Sequence, residues 1–228
     1  EKYTEIIPGI KNLDKRMYSK YNDWIIPGNN AMTPAYNTGK VSASEAPKNW
    51  EDLLDPKWRG QIAITTDVKG WTTLALEEGG WGMEKTEAFL KKLKEQKPIW
   101  ASSRPVGHSL MLSGEYKIMG ESYVYFTLQS QDQQKGAPVE WSRVSPVLVT
   151  GPSFTLQKNA PHPNAARLFL EWLFSPQGLQ TYERITYYGV ASPGSGTRLA
   201  KSVAGLPLVY RTEEGILKAV DMGLEEKF

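Results

Sequence analysis

One stretch constrains the fold more than any other: Pro47-Lys48-Asn49-Trp50-Glu51-Asp52-Leu53-Leu54-Asp55-Pro56-Lys57-Trp58-Arg59-Gly60-Gln61-Ile62-Ala63-Ile64-Thr65-Thr66-Asp67. It reads as a short capped helix, a turn and a buried strand. Asn49 suits an N-cap, and Glu51 and Asp52 suit the positive end of the helix that follows. Pro56 stops that helix, because its ring disfavours helical geometry in the residue before it. Gly60 lets the backbone turn, and residues 61–64 form an apolar run of strand length. The strand ends in polar Thr65-Thr66-Asp67, with a helical pattern starting near Trp71. In open α/β sheets the carboxyl end of a strand is where ligands bind.

The 228 residues allow one large domain or two small ones, and 40% hydrophobic content suffices for a core. With no cysteine there is no disulfide framework, thiolate metal site or cysteine nucleophile. A net charge of +2 without a basic stripe argues against nucleic acid. No apolar run approaches the roughly 18 residues of a membrane span, and no signal peptide is visible. Two separated histidines, His108 and His162, make zinc a poor fit. None of the motifs H-E-x-x-H, G-x-S-x-G, G-x-x-x-x-G-K-[ST] or G-x-G-x-x-G occurs, so the expectation is a protein that is not an enzyme and needs no cofactor.

The 47–67 string closely resembles the P-x-x-W-x-D-L-L-D-P-K-W-x-G-x-I-A-I signature of extracellular solute-binding proteins of ABC importers, in the branch that includes ferric-iron, polyamine and phosphonate binders. A second similar string runs from Ala160-Pro161-His162-Pro163-Asn164 through Ser175-Pro176-Gln177-Gly178. The resemblance implies an α/β fold of the periplasmic-binding-protein type II class, with two lobes of mixed sheets joined by crossover strands. Residues 1–8 resemble a mid-lobe segment of that family, which makes the first lobe incomplete. It further implies a periplasmic or extracellular location, an ABC permease as partner, and a small-molecule or metal-ion ligand. A missing N-terminal fragment or a strand-exchange partner is the expected consequence of an open first lobe. The lobes divide as 1–37 (part of lobe one), 38–141 (lobe two), 142–200 (the rest of lobe one) and a C-terminal helical segment, 201–228.

In chain order, Trp24-Ile25-Ile26 and Ala35-Tyr36-Asn37 read as strands among dense Pro and Gly punctuation. Residues 70–78 and 84–97 read as helices, the second with Phe89, Leu90 and Leu93 apolar and its lysines solvated. Ile99-Trp100-Ala101 is a short strand, followed by a helix over 108–113 whose amides could face an anion. Residues 116–128 read as one strand, with Tyr123 and Tyr125 on one face. Asn164 caps a helix with Ala165, Leu168, Phe169, Trp172 and Leu173 at helical spacing; Ser175 and Thr212 cap two more.

By resemblance, the ligand contacts are Thr65, Thr66, Asp67, Ser102, Ser103, Arg104, Tyr123, Tyr125 and Trp141, and the hinge is Tyr36, Asn37 and Trp141. The adjacent tyrosines that bind iron in ferric relatives fall here on Val124 and Tyr125, with Tyr123 displaced by one. An anionic or polar solute held by Ser102 to Arg104 and Thr65 to Asp67 is the first reading. Ferric iron on Tyr125 and Tyr123, as transported ligand, is the second. A sensory or scaffolding module on the same fold is the reading of another class. Tyr187-Tyr188 sits after the capped helices and reads as packing.

Overall fold

The computed structural model describes residues 14–19, 21, 23–157 and 159–224. Residues 1–8, with their mid-lobe resemblance, lie outside that set. The chain divides into two compact units: residues 1–30 with 150–205, and residues 31–149 with 206–228.

The second unit is built on a mixed sheet. In chain order its elements are β1 (Asn30–Asn37), β2 (Ile62–Ile64), α1 (Lys69–Leu76), α2 (Met83–Glu95), β3 (Ile99–Trp100), α3 (Arg104–Ser113), β4 (Ile118–Tyr123), α4 (Val124–Gln133), β5 (Val139–Trp141) and β6 (Val147–Thr150). In the first unit follow α5 (Pro163–Leu173), α6 (Pro176–Thr186) and α7 (Arg198–Ser202). The second unit then closes with β7 (Leu208–Tyr210) and α8 (Glu213–Asp221). The strand order is β3-β2-β4-β1-β6-β7, with β5 also on β1. β2 runs parallel to both β3 and β4, while β1 is antiparallel to β4 and β5. The β1–β4 register slips between Thr33 and Ala35, where Pro34 has no N–H to give the ladder. β6 runs parallel to β7, with Val147 to Val149 paired to Leu208 to Tyr210.

The 47–67 string folds as its punctuation dictates, with one refinement. The Asn49-capped turn is a 3-10 helix, Trp50–Leu54, and Asp52 accepts from the amides of Lys48 and Asn49. Pro56 both ends it and opens a second 3-10 turn, Pro56–Trp58, capped by Asp55. Gly60 takes φ +68 to enter β2. Trp50 is fully buried and donates its indole N–H to the Pro146 carbonyl. Its ring meets Trp71 edge-on at 5.6 Å, and Trp71 meets Phe89 at 5.9 Å. Buried aromatic pairs of this kind add to area burial because edge and face carry opposite charge.

Several boundaries differ from sequence expectation. The strand expected over 116–128 stops at Tyr123, and the chain turns into α4 at Val124. α3 begins at Arg104, four residues before the expected 108, with Ser103 as its N-cap. Ile25 makes isolated bridges to Tyr18 and Phe154 instead of sitting in a ladder strand. α5 is capped at His162 with Pro163 first, so Asn164 lies within the first turn. Its Leu170 and Leu173 are buried, whereas Leu168, Phe169 and Trp172 face outward. Ser175 and Thr212 cap as expected, accepting from Gly178 N and Gly215 N.

Candidate functional site

Three parallel strands lie side by side as β3-β2-β4, so their carboxyl ends share one edge of the sheet. Thr65 to Asp67 follow β2, Ser102 to Arg104 follow β3, and Tyr123 ends β4. Candidates named separately along the chain are thereby brought together. The approach of α3 to β4 depends on Gly107, where a Cβ would come 2.7 Å from Met119 Sδ. The Tyr116 hydroxyl clamps the same turn by donating to the Gly107 carbonyl.

The hub is Arg104, buried at 6% exposure. One guanidinium nitrogen donates to Asp67 Oδ2; the other donates to the Asp67 carbonyl (2.9 Å) and to Glu121 Oε2 (3.0 Å). Glu121 is wholly buried in β4, and its second oxygen accepts from the Thr65 amide (2.8 Å) and hydroxyl (2.5 Å). The guanidinium also lies 5.1 Å from the Tyr123 ring centre. Burial pushes the Glu121 carboxyl up, and the pull of Arg104 and the Thr65 donors does not overcome it. Burial also pushes Asp67 upward, but Arg104 and the Lys69 amide and ammonium hold it below the ordinary range. Arg104 is raised despite its burial, because Glu121, Tyr123 and Asp67 favour the cation.

This geometry changes the role of Arg104. Both terminal nitrogens are committed to two acids, so an incoming anion would have to break a buried network to reach them. Arg104 therefore ties the loops after β2 and β3 to β4. Ser103 does a similar local task, accepting from the Val106 amide. What the edge leaves accessible is exposed Thr66 and Ser102, half-buried Asp67, and half-buried Tyr123 and Tyr125. The rings of Tyr123 and Tyr125 stack with centres 5.6 Å apart and planes 16° apart.

The remaining candidates lie elsewhere in the same unit. Trp141 is buried in β5 opposite Ala35, with Arg143 4.7 Å over its ring. Tyr36 is buried in β1 between Ile118 and Glu140. Asn37 donates to the Met111 and Leu112 carbonyls, holding the end of β1 to the end of α3. The chain passes between units at 30/31, 149/150 and 205/206.

Sequence reasoning missed Glu121. The available signal was a lone carboxylate inside the otherwise uncharged run from Ile118 to Phe126, which has to find a partner if buried. It also missed the setting of His108, buried between Ser122 Oγ (3.3 Å) and Ser130 Oγ (3.1 Å), its pKa lowered to about 4 by burial.

Hydroxyls, an acid and the phenol of Tyr123 thus lie at the carboxyl edge of the parallel strands, with Tyr125 beside them on α4; in open α/β sheets ligands commonly bind at such an edge. The chain belongs to the bacterial extracellular solute-binding proteins, matching that family over residues 2–203. Its fold is that of the two-lobe type II periplasmic binding proteins. It superposes on iron-bound HitA from Pseudomonas aeruginosa with a TM-score of 0.73 at 18% identity, covering 96% of this chain and 74% of that one. The Atu4243 GABA receptor gives 0.71 at 18% identity, over 96% and 70%. An uncharacterized protein of Haemophilus influenzae is 29% identical over 146 residues, 61% of this chain and 40% of that relative's length. The matched part of this chain thus spans well under half of that relative. Members of this family are solute binders and not enzymes. Among the described residues no helix is long and apolar enough to cross a membrane.

Proposed function

We propose that this protein is the periplasmic substrate-binding component of an ABC importer, taking a small polar solute at the carboxyl edge of β2, β3 and β4 and delivering it to a permease. The convergence of Thr66, Asp67, Ser102, Tyr123 and Tyr125 on that edge carries the reading. Arg104 and Glu121 serve as positioning residues, which moves the preferred solute from an anion gripped by Arg104 to a polar molecule met by hydroxyls and ring faces. Binding would favour a closed state to the extent that this state offers more contacts.

Native and denaturing mass spectrometry of the purified protein test this directly. A discrete small increment over the 25.6 kDa chain that vanishes on denaturation is the expected result. Tyr125→Ala should lose it while keeping the wild-type circular dichroism. A bare mass, together with no thermal shift from a panel of amino acids, polyamines, dicarboxylates and phosphonates, would overturn the reading.

Ferric iron is the second reading, favoured by the paired Tyr123 and Tyr125 rings and by the likeness to an iron-bound protein. Among the described residues no group of three His, Cys, Asp or Glu could hold a metal, so iron would depend on those phenols. Adding ferric citrate should then produce a visible phenolate-to-iron band that Tyr125→Phe abolishes. A colourless mixture would dismiss iron.

A further inference from the structure

On the α2 side of β2 lies a notch of about 70 Å³ that the solute reading does not use. Its floor is apolar, made by Val68, Trp71, Leu90 and Leu93. Lys94 and Trp100 also line it, and neither the Lys94 ammonium nor the Trp100 indole N–H has a hydrogen-bond or ion-pair partner among the described residues. Trp100 is 55% exposed on the edge strand β3, so its indole face and N–H are open to a ligand. The polar lining residue Thr65 already gives its hydroxyl and amide to Glu121. The notch therefore offers an apolar seat, one cation and one neutral donor, and no uncommitted acid.

We propose that this notch binds a small monocarboxylate with a branched or aryl body. On the same measure a single water needs about 10–15 Å³, so the notch has room for an isopropyl group or the leading edge of a ring. The rest of an aryl group would lie against the exposed indole face. The carboxylate would take the Lys94 ammonium and the Trp100 N–H, a charge-assisted pair of contacts beside an apolar wall. An ammonium ligand of the same shape is disfavoured, since it would meet Lys94 and find no acceptor. Thr65 belongs both to this notch and to the Glu121–Arg104 network, so the two sites are neighbours with separate ligand-contacting groups.

The test is calorimetric titration of the full chain with phenylacetate and with isobutyrate. Phenylacetate should bind saturably, and Lys94→Gln and Trp100→Ala should each weaken it at least about tenfold. Both substitutions are at exposed positions, so the fold should survive and can be checked by circular dichroism. Phenethylammonium should give no saturable heat, whereas equal binding of this cation would overturn the assigned class. No saturation up to about 10 mM phenylacetate, or equal affinity in the two variants, would overturn the site itself. Phenylacetate binding that survives Tyr125→Ala shows that the notch works whether or not the solute reading holds.

Discussion

Trp50 and Trp172 are the same side chain in opposite circumstances. Trp50, in the second unit, is fully buried against Trp71 and hydrogen-bonded to the Pro146 carbonyl. Trp172, in the first, is 42% exposed, with Phe169 6.0 Å away and half exposed itself. Both sit in strings that resemble family signatures, and only that of Trp172 reads as an apolar helical face. The second unit has a sheet to pack against. Among the described residues the first unit shows helices and isolated bridges, with no sheet of its own. Helical spacing of apolar residues thus reports what a face is suited to bury, and only the tertiary partner decides whether it does.

The largest expected effect follows from the buried member of the pair. Trp50→Ala should destabilise the second unit by about 3–5 kcal/mol, through the cavity and the unpaired Pro146 carbonyl. Urea denaturation followed by far-UV circular dichroism measures it. A loss below about 1 kcal/mol would mean that the two units differ far less in packing than their burial indicates.

Much of the second unit was legible because its signals are local. Caps and punctuation at Asn49, Pro56 and Gly60 specify a short helix, a turn and a strand without reference to the rest of the chain, whereas sequence reasoning missed the second 3-10 turn, capped by Asp55. The site was legible only in pieces. Thr65 to Asp67, Ser102 to Arg104 and Tyr123 could each be named, but their meeting depends on the parallel register of β2 with β3 and β4, which is not local. Residues 124–127 are Val-Tyr-Phe-Thr, all good strand formers, so local preference carried the expected strand past Tyr123 while tertiary context made a helix. That turn sets Tyr125 on α4, stacked on Tyr123 across the strand-to-helix junction. The role of Arg104 was hidden for a related reason: nothing in a loop sequence shows that two acids from other elements already hold it.

A second, intermediate effect concerns acid. His108 is buried among Ser122, Ser130 and Phe126, and burial takes its pKa down to about 4. Between about pH 6.5 and 4 the unfolded chain takes up the imidazole proton and the folded chain does not. Stability therefore rises with pH across that window and is lost on acidification, by about 3 kcal/mol over its full width. Because carboxylates also titrate near its lower end, the readout is the difference between wild type and His108→Gln. The fall in urea midpoint from pH 7 to pH 4.5 should be larger for wild type than for the variant. Parallel behaviour of the two proteins would place the acid-sensitive contacts elsewhere.

The smallest expected effect is at the exposed tryptophan. Trp172→Ser removes a ring that is 42% exposed, so it should cost about 1–2 kcal/mol, clearly less than Trp50→Ala. It should also reduce self-association, since Leu168, Phe169 and Trp172 form a contiguous apolar face of the kind that drives it. Sedimentation velocity at two concentrations, beside a urea melt, reads both quantities in one sample set. A cost of about 4–5 kcal/mol, that of a core aromatic, would mean that this face is covered in solution. The contrast with Trp50 would then vanish, and the first unit would have to be regarded as packed against polypeptide that the described residues do not include.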